Sequence, residues 1–139
     1  GDVVFHKAFL DRQIAERLVS GADTVVDCLD SIDAHFAVEK AAKSLKIPMI
    51  SAAVAGATGQ LTVIFPEDEG LSLIYGRPES ASSPGAEQSL GCLPHGVTLL
   101  SSLECSEVVK VLLNRGDVLR NSLLLIDLDS NTFENMRLA

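Results

Sequence analysis

Apolar residues recur along the chain with two different periods, which divide it into strands and helices. Two short apolar runs, at 24–26 and 49–50, flank a segment at 33–45 whose apolar residues have helical spacing. A third strand is predicted at 60–65, where apolar and polar residues alternate. Because only a short glycine-rich loop precedes it, this strand is expected to run antiparallel to the one before; a parallel return needs a longer crossover. The pattern therefore predicts a mixed α/β sheet.

The remaining elements follow from the same periodicities. They are a strand at 2–6, helices at 11–19 and 97–114, and a closing hairpin of strands at 123–128 and 132–138. Asp11 is suited to cap the first helix, and Ser31 or Asp33 the helix before 45. The first helix is expected to cross over between strands, and a chain that begins within a strand is expected to be part of a longer one. The wide apolar stripe of the helix at 97–114 predicts deep packing or an oligomer interface.

Between 67 and 93 the chain is rich in Ser, Pro, Gly and acidic residues, and only 71–75 is apolar. Such a composition buries little and favours a loop. We predict a flexible loop across 79–93, with disorder from 79 to 88. In a compact domain, a loop of this length is typical of a lid or a partner-binding segment.

Composition and charge narrow the classes of function. With 139 residues, 47% of them hydrophobic, the chain is long enough for one domain, 1–139, with one core. The net charge of −8 opposes nucleic-acid binding, which needs a basic face. No apolar run suits a membrane span or a signal peptide, so we expect no membrane association and a cytoplasmic location. Cys28, Cys92 and Cys105 form no CxxC pair, which predicts reduced, mostly buried thiols without disulfide or zinc.

Candidate chemistry lies just after the strand at 24–26. The carboxyl end of such a strand presents side chains to a ligand crevice, and Asp30 and Ser31 lie there. Asp27 faces the other side of the strand end, where a structural role is expected. Spacing alone favours a simpler explanation, in which Asp30 and Asp33 cap the following helix.

Five segments, in this order, resemble the carboxyl-terminal half of the ThiF/MoeB/HesA family, the bacterial relatives of ubiquitin-activating enzymes. They are ADTVVDCLDS, IPMISAAVAG, GQLTVIFP, SSLECSEVVKVLL and LLLIDLDSNTFENMRL. The resemblance implies a Rossmann-like mixed sheet flanked by helices, forming the carboxyl-terminal part of an adenylation domain. It also implies a homodimeric adenylyltransferase that uses ATP and Mg²⁺. Its partner would be a small ubiquitin-like sulfur carrier of the ThiS or MoaD type, ending in Gly-Gly, for thiamine or molybdopterin-type cofactor synthesis.

The resemblance also implies roles for particular residues. Asp30 matches the aspartate that holds Mg²⁺ beside the nucleotide, and Ser31 stands where asparagine is usual. Gly56, Gly59 and Gln60 would lie beside the channel for the glycine-rich tail of the carrier. From the residues alone, the loop at 56–59 is a turn rather than a phosphate-binding loop, because a strand and not a helix follows it.

The departures from the family pattern leave alternatives open. Both CxxC pairs of zinc-binding members are absent, so no zinc is predicted, and no sulfur-accepting cysteine precedes the last helix. His35 stands where arginine is common and Glu39 where asparagine is common. In the family, the glycine-rich nucleotide loop and the phosphate-binding basic residues belong to the amino-terminal half, which would come before Asp2. This chain alone is therefore expected to be inactive. The strongest alternative is a non-catalytic module that binds a ubiquitin-like protein; an oxidoreductase is disfavoured because no GxGxxG follows a strand.

Overall fold

Five strands form one sheet in the computed structural model, which describes residues 1–79 and 87–139. They are β1 (Val25–Asp27), β2 (Met49–Ala55), β3 (Thr58–Ile64), β4 (Ser122–Asp127) and β5 (Thr132–Arg137), side by side in that order. β1 and β2 run parallel, and each later neighbouring pair is antiparallel. The predicted mixed sheet and closing hairpin are confirmed. The segment 80–86, most of the stretch predicted to be disordered, lies outside the described residues.

The described residues also form five helices. They are α1 (Arg12–Val19), α2 (Ile32–Ser44), α3 (Ser72–Tyr75), α4 (Glu87–Leu90) and α5 (Pro94–Leu113). Asp11 caps α1, and Ser31, the first of the two predicted candidates, caps α2 by accepting a 3.3 Å hydrogen bond from the Ala34 N–H. The last helix begins earlier than predicted, because Pro94 is tolerated in a first turn, where no N–H partner is needed.

Helices cover both faces of the sheet. Residues of β2 point alternately to each face, and its first four residues are buried, as expected for a strand covered on both faces of an α/β sheet. On one face, buried residues of the sheet, of α2 and of the loops after α2 and β3 form the first core cluster: Val25, Val38, Ala42, Ile47, Met49, Ile64 and Leu71. On the other face α5 completes the second: Ile50, Ala52, Leu61, Val63, Leu100 and Ile126. The two cavities described below lie on these two faces.

The prediction of a strand at 2–6 is wrong. Residues 1–10 have no regular structure, and Val3 and Phe5 are 93% and 84% exposed. Residues of a strand satisfy their backbone N–H and C=O groups on a neighbouring strand, and this segment pairs with none in the described fold. The crossover role predicted for α1 therefore also fails; α1 packs against α2 instead.

The cysteines are not buried as predicted. All three cysteines are free and classed as exposed residues, although the Cys28 thiol itself is partly buried. Cys28 follows the end of β1, Cys92 lies in the loop before α5, and Cys105 lies on α5. Cysteine content predicts burial only on average, whereas the direction of each side chain depends on the packing of its element. Helix α5 likewise buries one face only and exposes apolar residues such as Leu112 and Leu113. Among the described helices, none is long and apolar enough to cross a bilayer.

Candidate functional site

A buried polar cluster lies where β1 and β2 meet the first turns of α2. Asp27 and Ser51 are register partners on the two strands, and both point toward α2. The Ser51 hydroxyl donates to Asp27 Oδ2 at 2.8 Å, and His35 Nδ1 lies 2.6 Å from the same oxygen. The Leu29 N–H donates to Asp27 Oδ1 at 3.1 Å. With three donors for one buried carboxylate, the cluster fixes the start of α2 to the end of β1.

Tyr75 connects this cluster to the surface. Its ring is nearly parallel to that of His35, with the centroids 6.2 Å apart, and its edge meets Phe36. The Gln60 side-chain amide donates to the Tyr75 hydroxyl. Gln60 is thereby oriented at the start of β3, where the sheet opens to solvent.

The larger cavity, a cleft of about 460 Å³, lies on the α2 face at this end of the sheet. Its floor is formed by residues of β2 to β5, with Ile32 and Tyr75 at the side: Ala53, Val54, Ala55, Thr58, Gly59, Gln60, Leu125, Ile126, Asp127, Thr132 and Glu134. The hydroxyl and N–H of Ser130 hold the pKa of the half-buried Asp127 below its ordinary value. Most residues of the floor are small or apolar, and polar groups lie at its rim.

The smaller cavity, about 130 Å³, lies on the opposite face, between the ends of β1 and β2 and helix α5. Asp30, Cys28 and Glu104 line it, together with the apolar Val54 and Leu100. Val54 and the neighbouring Ala53 also line the larger cleft, so the two cavities meet at the end of β2. Asp30 is exposed, and its side chain makes no hydrogen bond or ion pair with any described residue.

Cys28 and Glu104 interact across the smaller cavity. The Cys28 thiol donates to the two carboxylate oxygens of Glu104 at 3.6 and 3.7 Å. Burial, the Glu104 charge and its hydrogen bond raise the pKa of Cys28 to about 11. Since the thiolate and not the thiol is the nucleophile, Cys28 is poorly suited to accept sulfur or an acyl group at neutral pH.

Comparison with known proteins settles the family. The family model of the ThiF family matches residues 2–139. The chain belongs to the ThiF family. It is 30% identical over 137 residues to the adenylyltransferase and sulfurtransferase MOCS3 of Drosophila yakuba, covering 96% of this chain and 30% of that protein. It is 27% identical over 133 residues to the SAMP-activating enzyme E1 of Haloferax volcanii, covering 94% of this chain and 48% of that enzyme.

The structural comparison agrees with the fold. The crystal structure of selenomethionine PaaA superimposes with a TM-score of 0.65 at 14% identity, covering 92% of this chain and 39% of that chain. This ThiF-family chain thus spans about a third to a half of the length of these relatives.

The structure places the two sets of residues that the resemblance implies, the metal-binding set and the tail-channel set, in different cavities. Asp30 lines the smaller cavity, whereas Gly59 and Gln60 line the larger cleft. Gly56 lies in the predicted turn between β2 and β3, where its N–H donates to Gly91 O at 2.8 Å. Ser31 uses its hydroxyl as the cap of α2. Because Ser31 forms that cap, the simpler explanation of Asp30 as a helix cap is wrong.

Gly59 has a packing reason to be glycine. A Cβ atom added there would lie 3.0 Å from a methyl carbon of Leu100 on α5, closer than ordinary van der Waals contact. The missing side chain therefore lets α5 approach β3, on the face opposite the larger cleft.

Sequence reasoning did not predict the roles of three residues of this region: His35, Tyr75 and Glu104. One signal was available, because Asp27 and Ser51 are polar residues inside otherwise apolar strands, and such residues need a buried partner. Nothing in the sequence identifies that partner as His35.

A magnesium ion fits this ThiF-family site only together with a nucleotide. Asp30 offers a carboxylate that pairs with no other described residue, and a carboxylate is the ligand type that Mg²⁺ prefers. In the part of the chain that the structure describes, no group of three or more His, Cys, Asp or Glu side chains is arranged to hold a metal. The other ligands would therefore be phosphate oxygens and water.

Proposed function

We propose that the protein containing this chain is an E1-like adenylyltransferase, which activates the carboxyl-terminal glycine of a ubiquitin-like sulfur carrier. The observation that carries the proposal is the ThiF-family match over residues 2–139, together with Asp30 after the strand end, whose carboxylate pairs with no described residue. The names of the two relatives, an adenylyltransferase and an activating enzyme, support the same class of reaction. In this proposal residues 1–139 form the carboxyl-terminal part of one adenylation domain.

The proposed chemistry makes a carboxylate electrophilic. A carboxylate oxygen of the terminal glycine attacks the α-phosphorus of ATP, and pyrophosphate leaves, giving an acyl-adenylate. Mg²⁺, when bound, would neutralise phosphate charge, and Asp30 is the residue of this chain that would hold it. The Asp27–His35–Ser51 cluster keeps the backbone before Asp30 rigid, because three hydrogen bonds converge on Asp27.

The larger cleft is the proposed position of the carrier's tail. Its small, apolar floor suits an extended glycine-rich peptide, and the Gln60 amide, held by Tyr75, is a polar group for its backbone. Gly59 lines this cleft and Gly56 lies in the turn before it, and both belong to the proposed tail channel. A carrier of the ThiS or MoaD type, ending in Gly-Gly, remains our proposal, as does a homodimer through the apolar residues that α5 exposes.

Replacement of Asp30 by asparagine tests the catalytic proposal. The amide keeps the shape but removes the charge that would face Mg²⁺, and stabilisation of this kind is typically worth about 3 kcal/mol or more. We expect carrier-dependent ATP–pyrophosphate exchange by the full-length protein to fall by about two orders of magnitude or more. The assay uses a ThiS-type and a MoaD-type carrier in parallel.

Asp33→Asn is the matched control, because Asp33 is exposed in the first turn of α2, three residues from Asp30. Both variants should melt within about 1 °C of the parent, since surface substitutions are usually small in effect. Near-parental exchange by Asp30→Asn would refute the assignment.

A non-catalytic module that binds a ubiquitin-like protein is the second candidate. It is favoured by the use of the Ser31 hydroxyl as a helix cap, which leaves one acidic side chain at the proposed metal position. This candidate predicts that the full-length protein binds a carrier but shows no exchange activity at all.

A further inference from the structure

Among the described residues, three buried glutamates differ in the groups that neutralise their charge. Glu39 and Glu107 each have both a lysine and a backbone N–H as partners. Glu104 is as buried as Glu107, each being 4% exposed, yet it has no cationic partner among the described residues. Its one partner there is the thiol of Cys28. A thiol is a weak donor, so Glu104 lacks the compensation that buried carboxylates normally have.

The open side of Glu104 is the smaller cavity. Asp30 adds a second carboxylate to the cavity wall, and no lysine, arginine or histidine of the described chain lines it. Burial raises the pKa of the Glu104 carboxyl, an effect that the nearby Asp27 increases and the Cys28 hydrogen bond opposes. A cation entering the cavity would relieve this penalty, whereas an anion would be repelled.

The cavity's size and walls narrow the type of cation. About 130 Å³ has room for an ammonium group with a short alkyl chain. Val54, Val97 and Leu100 supply apolar walls beside the carboxylates. A bare metal ion fits less well, because the described acidic and thiol groups are not arranged as a metal site.

We propose that the smaller cavity binds a primary alkylammonium group, whose charge pairs with Glu104 and whose carbons contact Val54 and Val97. The ligand is either a free amine or the lysine side chain of a partner protein, since both carry the same group. The cavity shares Asp30 with the proposed magnesium position, but the proposed ion pair is made by Glu104, and its occupancy can be measured without any turnover.

The test is an NMR titration of the full-length protein, observed at the methyl groups of Val54, Val97 and Leu100. The probes are propylammonium and, as its uncharged counterpart, 1-propanol. We expect saturable shifts with propylammonium and none with propanol. Glu104→Gln should weaken propylammonium binding about tenfold or more, while the control Glu16→Gln on α1 should leave it unchanged. Equal shifts from propanol, or undiminished affinity in Glu104→Gln, would overturn the proposal.

A second variant keeps the test decisive if Glu104→Gln does not fold. Ser101 lines the cavity one helical turn before Glu104, so Ser101→Lys places an ammonium group of the protein's own beside that carboxylate. It should raise the melting temperature and abolish propylammonium binding. A lowered melting temperature with binding retained would contradict the proposal.

A third probe, N-acetyl-lysine methylamide, distinguishes the two sources of the ligand. Affinity similar to that of propylammonium supports a lysine of a partner protein. Affinity about tenfold weaker supports a free amine, because the peptide groups are then excluded by the cavity.

Discussion

Gly59→Ala adds one methyl group where β3 faces α5. The new carbon would lie 3.0, 3.1 and 3.2 Å from three side-chain carbons of Leu100, against about 3.5–4.0 Å for ordinary contact. Leu100 is only 3% exposed, so it has little room to move. Overpacking of this kind costs about 1–3 kcal/mol, and alanine recovers about 0.5–1 kcal/mol through its better strand propensity. We expect a net loss of about 0.5–2 kcal/mol in the free energy of unfolding.

A double-mutant cycle with Leu100→Ala checks the cause of that loss. Leu100→Ala alone should cost about 2–5 kcal/mol, because it leaves a cavity. In the double variant the added methyl group no longer meets the Leu100 side chain. The stability losses of the two single variants should therefore add up to about 1 kcal/mol or more above the loss measured for the double variant. Urea unfolding of the full-length protein supplies all four stabilities. Additive costs, or a Gly59→Ala protein as stable as the parent, would refute this account of Gly59.

Two further predictions concern backbone strain and pH. Gly70→Ala should lose about 3 kcal/mol of stability, because Gly70 has φ +74° and its Cβ would lie 1.9 Å from Glu39 Oε1. Gly21→Ala, with φ +82° but open space around it, is the control and should lose about 1 kcal/mol; equal losses in urea unfolding would argue against the Glu39 contact. Against the effect of burial, hydrogen bonds from Arg120 and a backbone N–H lower the pKa of Asp68. The folded state therefore favours the ionised carboxylate of Asp68. Asp68→Asn should lower the free energy of unfolding by about 1 kcal/mol at neutral pH and by progressively less below about pH 4. Thermal melts in which the stability difference between parent and variant does not change with pH would count against this prediction.

Local patterns in the sequence determined much of this fold. The strands β1 to β3, the capped helices α1 and α2 and the closing hairpin all follow from periodicity and turn residues within a few positions of each element. The antiparallel pairing of β2 and β3 follows as well, because a two-residue connection permits no crossover. Asp30 could be predicted as a candidate residue for the same reason, since its position after a strand is a local property of the sequence.

Tertiary structure alone decided what surrounds that position. Asp27 and Ser51 are 24 residues apart, and Cys28 and Glu104 are 76 apart, so neither contact has a local signal. Whether residues 2–6 form a strand depends on a neighbouring strand to pair with, which apolar composition cannot reveal. The placement of Asp30 and Gln60 in cavities on opposite faces of the sheet has the same origin. It depends on the register of β1 and β2 and on where α5 packs, and both are set by contacts between elements distant in sequence.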